Sequence, residues 1–136
     1  MTDTVRTEKG TALVINLTRF GDLLQSQPLF HDLHAEGYRV HLLCLDVFSS
    51  ALPLLRRVER AWILPGARLM AETERNWRVA AALLLHFART LRNGARPACV
   101  VNLTTTLPAR LLTRMVAGEN TPVRGFSLEA EGFGRN

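Results

Sequence analysis

Asp22 is the residue of this 136-residue sequence best placed to do chemistry. It closes the turn Thr18-Arg19-Phe20-Gly21-Asp22, between an apolar run (TALVINL, 11–17) and a helical pattern. A carboxylate at that point can take the proton from a sugar hydroxyl as the hydroxyl attacks. Its bland alternative is an N-cap, a common station for Asp at a helix start. Gly21 lets the backbone turn sharply into the helix. Main-chain amides at the helix start would favour an anion there. The turn is neither a G-x-G-x-x-G fingerprint nor a P-loop.

The stretch Val14-Ile15-Asn16-Leu17-Thr18 recurs as Val100-Val101-Asn102-Leu103-Thr104. Each copy reads as strand, polar turn, then helix. In a doubly wound sheet of order 3-2-1-4-5, strands 1 and 4 are neighbours, and ligands bind beyond their carboxyl ends. The two turns would then face one another, and substrate would meet Thr18, Arg19, Gly21, Asn102, Thr104 and Thr105, with Thr106 and Asp22 beside them. The competing explanation is coincidence among β-forming residues.

The charge points the same way. Lys and Arg total 17 against 12 acidic residues, a net +5, and Lys9 is the lone lysine. Arginine forks grip carboxylates and phosphates in a bidentate manner that lysine cannot. An anionic partner fits, and so does a plain bias toward arginine on solvated helix faces. Arg56, Arg57 and Arg60, or Arg110 and Arg114, could reach an anion at the crevice. Nucleic acid is set aside as a partner, because that reading has only the sequence pI near 10.5 behind it. The few aromatic residues read as buried, so stacking on bases is not expected.

Other chemistries find little support. His31, His34, His41 and His86 lack metal-ligand spacing with Cys or acidic residues, so no metal is expected. Cys44 and Cys99 sit in apolar runs and read as core residues of a reducing compartment. G-x-S-x-G is absent. The first ten residues are polar and mixed in charge, unlike a secretory signal. No apolar run approaches the ~20 residues that span a bilayer.

These residues need elements to position them. Strands are expected at 11–17, 39–45, 61–64, 99–103 and 123–126. Helices are expected at 22–36, with a kink or late start at Pro28 and a stop at Gly37, and at 47–57, interrupted by Pro53. Further helices are expected at about 72–92 and at 107–116. In the third helix Trp77, Ala81, Leu84, Ala88 and Leu91 form the apolar stripe, widened by Ala80 and Phe87, and Asn93-Gly94 is the stop. Strands separated by helices imply right-handed βαβ units. The fold class is α/β: a Rossmann-like parallel sheet with helices on both faces. Residues 1–10 read as a flexible leader, 11–128 as the domain, and 129–136 as a tail or the start of an interdomain segment.

The block from Leu13 to Leu29, N-L-T-R-F-G-D-L-L-Q-S-Q-P-L at its centre, resembles the opening of glycosyltransferase family 9, the ADP-heptose:lipopolysaccharide heptosyltransferases. The later Val100–Thr104 and Val123–Phe126 stretches are similar to that family too. The resemblance spans about residues 11–134. It implies the N-terminal, acceptor-binding half of a two-domain GT-B enzyme, with Asp22 as catalytic base. That enzyme transfers heptose from ADP-heptose to an anionic lipopolysaccharide inner core with inversion and without a metal cofactor. It also implies a C-terminal donor domain as partner, a cytoplasmic location, and peripheral contact with the inner membrane. Family members are about twice this length or more, so this chain alone is expected to be inactive. The alternative is a stand-alone Rossmann-like module that binds an anionic sugar or nucleotide without catalysis.

Overall fold

The computed structural model describes residues 9–18 and 20–125. Residues 1–8 of the expected leader, Arg19, Phe126 and the expected tail 129–136 lie outside the described residues. Five strands form one parallel sheet: β1 (Thr11–Ile15), β2 (Arg39–Leu45), β3 (Val58–Leu64), β4 (Cys99–Asn102) and β5 (Val123–Gly125). Their order is β3-β2-β1-β4-β5, so β1 is central and the winding reverses between β1 and β4.

Strand residues alternate between two cores. Leu13, Ile15, Leu43, Trp62 and Val100 point to one face, where they meet helices α4 (Trp77–Ala95) and α5 (Leu107–Val116) through Ala88, Leu91, Ala109 and Leu112. Ala12, Val14, Leu42, Cys44 and Val101 point to the other. There they meet Leu23 of α1 (Phe20–Gln25) and Phe30 and Leu33 of α2 (Gln27–Ala35). This double burial is why the strands read as continuous apolar runs. Burial pushes the Cys44 thiol up to about 11 and raises Cys99 as well, which keeps both thiols protonated and inert.

Several boundaries differ from the sequence reading, each for a local reason. The helix expected over 22–36 is two helices, broken at Ser26, with Pro28 in the first turn of α2 where its missing N–H costs nothing. Gly37 does end α2: with φ at 105° it donates to His34 O, and Tyr38 N donates to Leu33 O, a Schellman closure. The helix expected over 47–57 is a 3₁₀ helix, Asp46–Leu54, ending just past Pro53. β3 begins three residues earlier than expected.

The helix expected over 72–92 is likewise two, α3 (Gly66–Arg75) and α4, because the Asn76 side chain accepts from Arg78 N at 3.1 Å and starts a new helix. Trp77 therefore sits in a first turn and is 65% exposed, not part of the buried stripe. The stripe that packs is Ala80, Ala88, Leu91 and Ala95 with the half-buried Leu84 and Phe87 beside it, while Ala81 is exposed. Gly94 is not the stop either. It lies inside α4, where an added Cβ would come within 2.5 Å of Trp62 Cη2, and Arg96 with φ at 45° is the C-cap.

Candidate functional site

The turns after β1 and β4 leave the same edge of the sheet and are stitched together. Leu103 N donates to Ile15 O at 2.9 Å, and Leu17 N donates to Thr104 Oγ1 at 2.8 Å. Each turn is closed by its own asparagine. Asn16 Oδ1 accepts from Thr18 N at 3.2 Å and from the Thr18 hydroxyl, while Asn102 Oδ1 accepts from Thr104 N at 2.9 Å. The sequence echo is thus a repeated Asx turn.

The two asparagines nevertheless serve opposite faces. Ile15, not Asn16, pairs with Asn102, so the copies are offset by one residue. In a pleated sheet one residue reverses the side chain. Asn16 Nδ2 donates to Ser26 Oγ at 2.7 Å on the α1–α2 face. Asn102 lies on the face of Val100 and α5, where its Nδ2 donates to Thr104 O at 2.9 Å.

Asp22 is in the first turn of α1, exposed, and in no ion pair among the described residues. What holds it is its main chain. Its carbonyl accepts from Ser26 Oγ at 3.1 Å and faces Asn16 Nδ2 at 3.5 Å. Asn16 and Ser26 are 3% and 6% exposed, so this clamp is built into the core. Sequence reasoning missed Ser26. Its signal was a small hydroxyl residue two positions before Pro28, a cap position inside an otherwise periodic helix.

The other expected contacts divide into two groups. Thr18 is half-buried, and Thr105 and Thr106 are exposed. Thr106 is the N-cap of α5 without a capping bond from its side chain. Asn102 and Thr104 are 0% and 3% exposed, and their side chains act on the turns. Gly21 is the second residue of α1. With six residues, α1 offers a much weaker dipole than the single long helix expected, so anion holding by its amides loses ground. Arg19 lies outside the described residues.

Arg56 and Arg57 come just before β3, and Arg60 lies within it, paired with His41 of β2. The Arg56 main chain is clasped by the Gln27 side-chain amide, with both bonds at 2.8 Å, and Arg60 stacks on Trp62 with its guanidinium carbon 3.8 Å from the ring centre. Trp62 Nε1 donates to His41 Nδ1 at 3.2 Å, and burial lowers the pKa of that histidine against the pull of Glu59. No group of three His, Cys, Asp or Glu suited to a metal ion occurs among the described residues. No described helix is long and apolar enough to cross a membrane.

The stitch makes a prediction. Thr104→Val keeps shape but strips the acceptor from Leu17 N, and a buried donor left unpaired costs about 1–3 kcal/mol. Denaturant unfolding of the two proteins measures it. An unchanged midpoint would show that the turns do not depend on this bond.

No protein-family model and no curated protein matches the sequence. The fold matches a solved structure, the glycosyl transferase family 9 protein from Veillonella parvula DSM 2008, with a TM-score of 0.64 at 12% identity. The match covers 82% of this chain and 30% of that one, so this chain spans under a third of that protein's length. At this identity the likeness is one of fold.

Proposed function

We propose that this chain is the acceptor-binding module of a glycosyltransferase of the family 9 kind, with Asp22 as the base. The observation that carries the reading is the exposed Asp22 carboxylate, held through its main chain at the sheet edge where the winding reverses. The resemblance of the Leu13–Leu29 block and the fold likeness to a family 9 structure support it. In this reading the Asp22 carboxylate takes the proton of an acceptor hydroxyl. The freed oxygen forms a bond to the anomeric carbon of heptose from the face opposite ADP. The bond from that carbon to the phosphate oxygen breaks, and ADP leaves with the electron pair. Inversion follows from attack on the opposite face. A separate C-terminal unit holds ADP-heptose, and the acceptor is the anionic inner core of lipopolysaccharide, met from the cytoplasmic side. No metal or cofactor is invoked.

The test is an NMR titration of the chain with an inner-core fragment and, separately, with ADP. Expected are shifts at Thr18, Asp22, Thr105 and Thr106 with the acceptor fragment and little with ADP. Shifts at the same residues with ADP alone would instead support a nucleotide-binding module without catalysis.

A further inference from the structure

β3 ends the strand order and is joined to the sheet through β2. Its register on β2 slips once. Val40 pairs with Val58, but the next residue, His41, pairs with Arg60, so Glu59 is an extra residue on β3. A bulge of this kind re-aims a side chain. Here the largely exposed Glu59 carboxylate comes to 3.6 Å from His41 Nε2, although Arg60 holds the position opposite.

His41 is 7% exposed, and its two ring nitrogens face different partners. Trp62 Nε1 donates to Nδ1 at 3.2 Å, so Nδ1 is the bare nitrogen and Nε2 carries its proton toward Glu59. An indole N–H only donates. A second proton on the imidazole would land on Nδ1 and set two donors against each other. The Trp62 ring is otherwise pinned. The Arg60 guanidinium lies over it, and its far edge fills the space that a side chain on Gly94 of α4 would need. Burial holds the His41 pKa below its ordinary value; Glu59 pulls it upward, and Arg60 and Arg39 push it down. Leu13 of β1 sits opposite His41. α4 brings Leu91 and Ala95 to this core, while its Arg92 and the C-cap Arg96 are exposed.

We propose that His41, Trp62 and Glu59 form a proton-operated latch on the β3 edge: a proton taken up at His41 Nδ1 expels the Trp62 indole N–H and loosens β3 from α4. The proton comes from solvent, and Glu59 then holds the imidazolium through Nε2–H. The closed form resists that proton, whereas the opened form takes it near the ordinary value of about 6.5. The latch is therefore shut at neutral pH and weakens as the pH falls below that value. It does not depend on Asp22, whose helix α1 packs on the opposite face of the sheet.

Tryptophan fluorescence tests it. The chain has two tryptophans, and Trp77 is 65% exposed, so Trp77→Phe leaves Trp62 as the sole fluorophore without touching the core. In that background the Trp62 emission is followed from about pH 8 to about pH 5. It should move to longer wavelength with a midpoint below about 6.5, while far-ultraviolet circular dichroism stays constant. His41→Gln keeps an acceptor for the indole and cannot titrate, so its emission should stay flat. Glu59→Gln removes the carboxylate that favours the charged ring and should lower the midpoint by about one pH unit or less. Imidazole nitrogen shifts, read by NMR on the unsubstituted chain, should show the Nε2–H tautomer of His41 at neutral pH, a result that does not need His41→Gln to fold. The proposal is overturned by a flat emission with His41 present, by a transition that survives in His41→Gln, or by an unchanged or raised midpoint in Glu59→Gln. An Nδ1–H tautomer, or loss of dichroism at the same midpoint, would overturn it too.

Discussion

Replacing Asp22 by Asn should lower sugar transfer by about 10²–10⁴-fold, the contribution of a well-placed general base, when the assay supplies the donor-binding half. The amide keeps the size of the side chain and loses its capacity to take a proton. The fold should not notice. Asp22 is exposed and in no ion pair among the described residues, and the groups that fix its position reach the main-chain carbonyl, which the variant retains. Turnover should therefore fall while the unfolding midpoint and the KM for acceptor stay near their starting values. Loss of both turnover and stability would make Asp22 structural, and near-normal turnover would remove it from the base role. Ser26→Ala separates position from chemistry: it removes the shorter of the two bonds to the carbonyl of Asp22 without touching the carboxylate, so a smaller loss of turnover is expected.

The architecture was legible because the inner strands β1, β2 and β4 are buried on both faces and therefore carry nearly unbroken apolar runs. The strand order is that of the doubly wound class, and it is this order that sets the echoed turns of Asn16 and Asn102 side by side. What sequence could not show was the one-residue offset that sends those asparagines to opposite faces. Register is set by packing across strands and has no local signal.

Helix boundaries failed where apolar spacing continues through a cap. Ser26 and Asn76 interrupt patterns whose hydrophobic period carries on regardless: Asn76 caps the new helix with its side chain, whereas Ser26 makes no cap bond and donates back to Asp22 O. Trp77 fits the stripe by spacing and lies outside it in space. α4 has 19 residues, about 28 Å of helix, whereas the four residues of β4 span about 13 Å. The first turn of α4 therefore has little sheet beneath it. The contact of Arg56 with Gln27 needed the path of the 3₁₀ helix, which spacing alone does not supply.

The largest single effect on stability is expected at Gly125, and it couples the sheet edge to the site. Gly125 pairs with Asn102 in the β4–β5 register and holds φ at 83°, where a side chain is strained. A Cβ there would collide with the carbonyl oxygen of Asn102 and lie 3.1 Å from its carbonyl carbon. Both are backbone atoms, so no rotamer change relieves the clash. The unfavourable φ contributes about 1–3 kcal/mol and the overpacking a similar amount, so Gly125→Ala should destabilise by about 2–5 kcal/mol. β5 is a three-residue edge strand, so one way to relieve the strain is to peel it away. The other is to move Asn102, which closes the second turn and holds Thr104 against Leu17. Hydrogen exchange distinguishes them. Faster exchange confined to Val100 N, which bonds to Pro122 O, would mean peeling, while faster exchange at Thr104 N and Leu17 N would mean that the strain reaches the paired turns. Val123→Ala on the same strand is the control: Val123 is 37% exposed, so its midpoint should move by less than about 1 kcal/mol. An equal loss in both variants would show that β5 is held by its side chains and that the close approach at Gly125 is not what the edge depends on.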